Sequence, residues 1–315
     1  MAGLPRHPLR PAAREPVGCT GVRRRGLHLR ALSGYGPGGG APVTLHATIV
    51  RACLRDGRGG SPTAVLDDTG LSDAERRAVP AAAGTSHAVF VSVPREGPVG
   101  LRFFTATEEL PACGHGTVAA LAVLAERTGR ERFDLRAGGR LFAGEATAGE
   151  AVFDPGPMEL READPSQTGP LLRALGIDRA ECRVASVGRP RLLVRVPDRE
   201  TLAALAPDLA ALRQACDRAG LLGAYVHSAP SPDGRAAARM FAPSIGVPED
   251  VANANSTACL AAHLAGRRPS TLRVDMGDSL GAPATVVATA GPGPSGPWVL
   301  VGGAAETGPA VALGL

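Results

Sequence analysis

The 315-residue chain has no lysine, and its 34 basic side chains are all arginine. That one-sided usage follows a coding bias better than a choice made for phosphate. Aromatic residues make up only 3% of the chain. A nucleic-acid surface combines clustered cations with stacking aromatics, so this composition argues against one. No run of 18 or more apolar residues occurs, which argues against a helical membrane span. The six cysteines (Cys19, Cys53, Cys113, Cys182, Cys216 and Cys259) include no Cys-x-x-Cys pair. Neither a disulfide framework nor a zinc site is expected from that spacing. Without an export signal, a reducing cytoplasm is the expected compartment. A Rossmann glycine fingerprint and a P-loop are also missing, so no cofactor and no metal are expected.

What is present suffices for two lobes with their own cores: 315 residues, 44% of them apolar. The net charge of +4 is uneven, because residues 1–42 hold seven arginines against Glu15 alone. The body of the chain is therefore slightly acidic. Residues 1–42 also carry Pro5, Pro8, Pro11, Pro16, the Arg23–Arg25 run and the Gly38–Gly40 run. They read as a disordered leader without the apolar core of a secretory signal. An Arg-rich, acid-poor transit peptide is the other reading of that segment.

From Val43 onward, short β-rich runs begin. Leu45–Arg51, Thr63–Leu66, Ala88–Val93 and Leu101–Thr105 read as strands. Ser72–Val79 reads as a helix with Ser72 as N-cap and Glu75 three residues on. Cys113-Gly114-His115-Gly116-Thr117 then leads into Val118–Ala125, a helix apolar all round and bounded by Gly129, which must be buried on every side. The second half repeats this. Leu192–Val196, Gly223–His227 and Ala236–Phe241 are strand-like, and Asn253–Thr257 opens another apolar helix, ending near Gly266. Leu272–Met276, Thr285–Ala290 and Trp298–Val301 follow as strands.

Three features recur in the same order. Glu109 precedes Cys113 by four residues and Thr117 by eight, and Glu249 precedes Asn253 and Thr257 by the same intervals. Arg102-Phe103-Phe104 is echoed by Arg239-Met240-Phe241. The repetition suggests a duplicated unit, with a first lobe over residues 43–150, a second over 151–315, and a cleft between them. The last strand is expected to return to the first lobe.

These motifs resemble the PhzF-like isomerases, relatives of diaminopimelate epimerase and proline racemase. The resemblance covers roughly residues 45–303. It rests on Gly60-Ser61-Pro62, on Thr85–Val91, on Arg102–Thr105 through Glu109 and Cys113-Gly114-His115, and on Phe241-Ala242-Pro243 with Glu249-Asp250 and Asn253–Thr257. Met276-Gly277 fits a late family strand. It implies an α+β fold of two pseudo-symmetric lobes, each a curved, mostly antiparallel β-sheet wrapped around a central buried helix. It also implies a cofactor-independent isomerase that shifts a proton, and with it a double bond, on a small carboxylate. A 4-alkylproline building block of secondary metabolism is one specific substrate the resemblance admits, and a homodimer is the family habit.

Two departures mark this chain. The family's general base is a glutamate where His87 stands, and its Thr-Gly-Ser-Ala motif reads Asn253-Ala254-Asn255-Ser256 here. The resemblance makes His87, His115, Asp250 and Cys113 the candidate catalytic residues. Imidazole can accept and return a proton near neutral pH, and a thiol at a helix start is activated. Gly114, His115, Gly116, Asn253, Ala254, Asn255 and Ser256 are the candidate substrate-binding residues. There the unpaired N–H groups of two helix starts would seat a carboxylate. An epimerase or dehydratase built on Cys113, or a non-catalytic carboxylate binder on the same fold, are the competing readings.

Overall fold

The computed structural model describes residues 44–147 and 149–314. The leader expected over residues 1–42 lies outside them. The first half runs β1 (Thr44–Leu54), β2 (Ser61–Asp67), α1 (Asp73–Ala82), β3 (His87–Ser92), β4 (Val99–Phe104), β5 (Glu109–Leu110), α2 (Gly114–Thr128), β6 (Arg132–Ala137), β7 (Arg140–Thr147) and β8 (Glu150–Phe153). The second half continues with β9 (Glu159–Glu162), α3 (Pro165–Leu175), β10 (Glu181–Val187), β11 (Arg189–Val196), α4 (Arg199–Ala203), α5 (Leu209–Ala219), β12 (Ala224–Ser228) and β13 (Arg235–Ala242). It closes with β14 (Val247–Asp250), α6 (Ala254–Leu264), β15 (Ser270–Met276), β16 (Ala284–Gly291) and β17 (Trp298–Gly314). No described helix is long and apolar enough to cross a membrane.

Local chemistry accounts for the helix ends. At α1 the Ser72 hydroxyl accepts from Glu75 N–H while the Glu75 carboxylate accepts from Ser72 N–H, a reciprocal cap. Gly129 ends α2 in the left-handed conformation at φ 66°, which costs a glycine nothing. Helix α6 ends at Leu264, close to Gly266 as expected, but without a left-handed cap. Ala265 turns there to an extended conformation (φ −59°, ψ 123°), so no left-handed residue is needed at Gly266.

Hydrogen-bonded pairing in the first half runs β1–β17–β8–β7–β6–β4–β3–β2 and returns to β1, so eight strands close a ring. Inside it lies α2, packed on β1, β2, β3, β4, β7, β8 and β17. Val118–Leu121, Val123 and Leu124 are all buried there. The expected boundary at residue 150 falls at the head of β8, which is stitched to β7 and β17 of the same ring.

In the second half the pairing runs β9–β10–β11–β12–β13–β15–β16–β17, and α6 packs on β10, β11, β15, β16 and β17. Alternate residues face opposite sides of these strands. Leu193 and Tyr225 join the core around α2 and α6, whereas Leu192, Val194 and Val226 join a separate core with Leu171 and Leu175 of α3 and Leu212 of α5.

The echoed sequence motifs adopt one geometry. Arg102 donates in a fork to Glu109 (2.8 and 2.6 Å) and lies 5.0 Å over the Phe104 ring. Arg239 donates in a fork to Glu249 (2.9 and 2.8 Å) and lies 4.8 Å over the Phe241 ring. Thr117 and Thr257 each donate a hydroxyl back to the residue at their helix start, Cys113 O and Asn253 O.

Candidate active site

The starts of α2 and α6 meet. A Cβ on Gly114 would lie 2.6 Å from Ala254 Cβ, so only glycine allows this approach. Around the junction is a cavity of about 40 Å³, lined from the first half by His87 and Cys113–His115 and from the second by Arg189, Arg191, Asp250, Asn253 and Asn255. That volume holds a few waters at most, on the scale of roughly 10–15 Å³ for one.

His87 opens β3 and is 3% exposed. Its Nδ1 is 2.9 Å from Ser86 Oγ, and its Nε2 makes no hydrogen bond among the described residues. Burial holds its pKa well below 6.5, and the nearby His115 pushes in the same direction, so the ring is neutral at neutral pH. The two rings meet edge to face with centroids 4.4 Å apart.

His115, 2% exposed, donates from Nδ1 to Ala252 O at 2.8 Å and places Nε2 3.5 Å from Cys113 Sγ. Burial disfavours its charge, but the Cys113 sulfur and the Asp250 carboxylate outweigh burial and hold its pKa at about 9. Asp250 Oδ2 lies 3.9 Å from His115 Nδ1 and accepts from Asn253 Nδ2 at 2.9 Å. Burial raises the Asp250 pKa against the pull of His115 and Asn253, and its Oδ1 has no hydrogen-bond partner among the described residues.

The two helix starts are finished differently. Asn253 Oδ1 accepts from Ser256 N–H at 2.9 Å, capping α6 with its own side chain. Cys113 provides no side-chain cap to α2. The first N–H groups of α2 therefore remain available beside the cavity, with the positive end of the helix dipole behind them.

Of the residues read from sequence, His87, Cys113, Gly114, His115, Asp250, Asn253 and Asn255 come together on the cavity wall. Gly116, Ala254 and Ser256 do not line it. A Cβ on Gly116 would press on Phe103 and Cys113 Sγ, so that glycine serves packing. Ala254 packs on Gly114, and the Ser256 hydroxyl turns to Met240 Sδ at 3.7 Å.

Two charged wall residues were not anticipated. Arg191 is 2% exposed, and its one hydrogen bond, from Nη2 to Arg189 O, leaves Nε and Nη1 without partners among the described residues. A buried guanidinium with no carboxylate beside it is costly unless a ligand supplies one. Arg189 forms an ion pair with Glu108 of the first half at 3.1 Å. The Arg189-Pro190-Arg191 triplet entering a strand was the available signal.

A family model described as phenazine biosynthesis-like protein (PhzC-PhzF) matches residues 55–307. The chain belongs to this family. Its relatives are isomerases, and so is this PhzF-family chain. An uncharacterized isomerase of Deinococcus radiodurans is 31% identical over 274 residues, covering 78% of this chain and 86% of the relative. The trans-2,3-dihydro-3-hydroxyanthranilate isomerase of Pseudomonas fluorescens is 30% identical over 217 residues, covering 65% of this chain and 74% of the relative. Among solved structures, the Bacillus anthracis phenazine biosynthesis protein of the PhzF family superposes with a TM-score of 0.74 at 16% identity, over 86% of this chain and 99% of that one. The fold is therefore the α+β fold of PhzF proteins. A hydroxyproline epimerase of Agrobacterium vitis shares it more distantly, with a TM-score of 0.61 at 10% identity over 86% and 92% of the two chains.

Proposed function

We propose that this isomerase moves a proton, and with it a double bond, on a small carboxylate, without a cofactor and with His87 as the base. The observation that carries this reading is the presence in one small cavity of a neutral buried imidazole and a buried guanidinium lacking a carboxylate partner. Arg191 would hold the substrate carboxylate by charge-assisted hydrogen bonds. His87 Nε2 would take a proton from one carbon and return it, on the same face, to another carbon of the conjugated system. The negative charge that develops in between would be met by Arg191 and by the uncapped N–H groups of α2. Asn253 donates to Asp250, and His115, anchored on Ala252 O, lies 3.9 Å from the same carboxylate; together they brace the α6 side of the cavity.

Opposite Cys113 stands Asn253, whose amide cannot exchange protons near neutral pH. A two-thiol racemase is thereby disfavoured. We read the ring around α2 and the sheet around α6 as lobes of a duplicated unit, a reading supported by the matching Arg102–Glu109 and Arg239–Glu249 forks. Because the walls come from both lobes and enclose so little space, substrate entry requires them to part.

The test is an NMR time course in D₂O with unsaturated cyclic amino acids and related carboxylates. Deuterium at the new position, or direct internal transfer, without inversion at the original carbon is the expected result. Inversion of a saturated α-carbon that alkylation of Cys113 abolishes would overturn it.

A further inference from the structure

The mechanism above leaves one arrangement unused. His87, Cys113 and His115 are all buried, and their ligand-type atoms lie within 4.8 Å of one another. We propose that these three side chains form a site for one divalent cation that prefers thiolate and imidazole, zinc being the type, and that filling it stops the proton shift.

One edge of the triangle already fits such an ion, and the others, at no more than 4.8 Å, would close on binding. A tetrahedral zinc with bonds of about 2.0–2.1 Å to nitrogen and 2.3 Å to sulfur needs its N and S ligands about 3.5 Å apart. Cys113 Sγ and His115 Nε2 already stand 3.5 Å apart. Each imidazole is anchored through the nitrogen that would not bind. His115 donates from Nδ1 to Ala252 O at 2.8 Å, and His87 Nδ1 is held by Ser86 Oγ at 2.9 Å. Both rings thus keep Nε2 for the ion, the outer-shell orientation that metal-bound histidines show. Asp250 stands behind His115 at 3.9 Å as a counter-charge. The fourth position faces the cavity, as in sites that keep one place open.

No spacing rule could have found this set, since His87 comes from the head of β3 and the other two from the start of α2. On binding, His115, protonated at neutral pH, releases its Nε2 proton to solvent and bonds the ion through that nitrogen; Cys113 bonds it as the thiolate, its own proton also passing to solvent, and His87 gives its Nε2 lone pair. That lone pair is the one assigned to the substrate proton, so the inhibitory half of the proposal rests on His87 acting as the base.

The experiment uses the full chain, stripped with a chelator and titrated with cobalt(II) as a spectroscopic probe. One equivalent should produce tetrahedral d–d bands and a thiolate-to-cobalt charge-transfer band, and zinc should displace it. Cys113→Ser should lose the charge-transfer band. His87→Gln should bind cobalt at least roughly tenfold more weakly. Ser86→Ala frees the His87 ring while leaving the other two ligands in place; it should also weaken binding, and it serves where His87→Gln fails to fold. Cobalt binding without the sulfur band, or binding that none of these substitutions weakens, would overturn the site. Proton exchange in D₂O should stop with one equivalent of zinc and return with chelator. Exchange unaffected by bound zinc would overturn the inhibition and leave the site standing. Cobalt binding in a protein whose metal-free form exchanges no substrate proton would uphold the site while refuting the isomerase reading.

Discussion

At the start of α6, Asn253 turns its Oδ1 onto Ser256 N–H and its amide onto Asp250, so that end of the helix is satisfied from within. At the start of α2 the corresponding residue is Cys113, which caps nothing. The strands beside the two helices differ in the same way. In the first half, β2 and β3 pair Thr63 with His87. In the second, Leu192 pairs with Ala224, and the row before it holds Arg191 and Gly223. A side chain at Gly223 would collide with Phe241 O at 2.1 Å, so that row carries a single functional group, the guanidinium. On the proposed mechanism one half supplies the proton carrier and an open helix start, and the other supplies the cation and a closed brace. Two similar helix starts are thus finished differently, and each half can be tested for its proposed share.

The sharpest way to break the contrast is to remove the proton carrier. His87→Gln should lower turnover by roughly 10²–10⁴-fold, the usual cost of a lost general base, while ligand affinity stays within about tenfold. Turnover above a tenth of wild type in the NMR assay would take His87 out of the chemistry. Next comes the guanidinium. Arg191→Met should weaken carboxylate binding by roughly ten- to a hundredfold, the equivalent of about 1.5–3 kcal/mol for a charged hydrogen bond. Its melting temperature should hold or rise, because a buried cation without a partner burdens the fold. A lower melting temperature with unchanged affinity would make Arg191 structural.

The pH profile sharpens the division further. His87, with its pKa lowered by burial, is already neutral at neutral pH, so the acid limb of turnover should fall below pH 6.5. The alkaline limb should follow His115, near 9. Stability carries opposite signs for the two residues. His87 binds a proton more readily when unfolded, so its contribution is lost as pH drops below about 6.5. His115 contributes fully below that value and loses its contribution as pH rises through about 9. Together they place their stability maximum near pH 6.5, and denaturant melts across the range would check it. An acid limb centred above 6.5 would assign the base elsewhere.

The smallest effects concern the caps. Asn253→Ala should cost about 1 kcal/mol, whereas Cys113→Ser should gain a few tenths to about 1 kcal/mol by capping α2. Equal shifts in melting temperature at the two sites would erase the distinction between the helix starts.

Much of this was legible beforehand, because it depended on local pattern. The apolar helices, the Ser72 cap and the strands at 88–93 and 101–105 follow from residue order. The meeting of His87 with Cys113 and His115 could be placed only through the family motifs, which carry positions that spacing alone does not. Arg191 was hidden because 34 arginines look alike in sequence, and its burial is set by tertiary packing rather than by local pattern. Strand β9, Glu-Leu-Arg-Glu and exposed throughout, has no burial pattern to read. Prolines at 165 and 170 disguised α3. The length of β17 was obscured by Gly302, Gly303, Gly308 and Pro309, which read as loop. Gly302 is required because a Cβ there would meet Ala151 O at 1.9 Å across the pairing with β8.

β17 also sets an order of events. Its 17 residues pair with β16, β8 and β1 in turn, and Thr44 is matched with Gly314 at the far end of the chain. While the polypeptide is being made, the ring around α2 lacks one stave until the second half has left the ribosome. Until then both β1 and β8 present an unpaired edge, the kind of surface that other chains can join. Closure across so long a separation is slow as well. The first half, though encoded first, is completed last, and its exposure to misassembly is set by how quickly the second half is translated and folded.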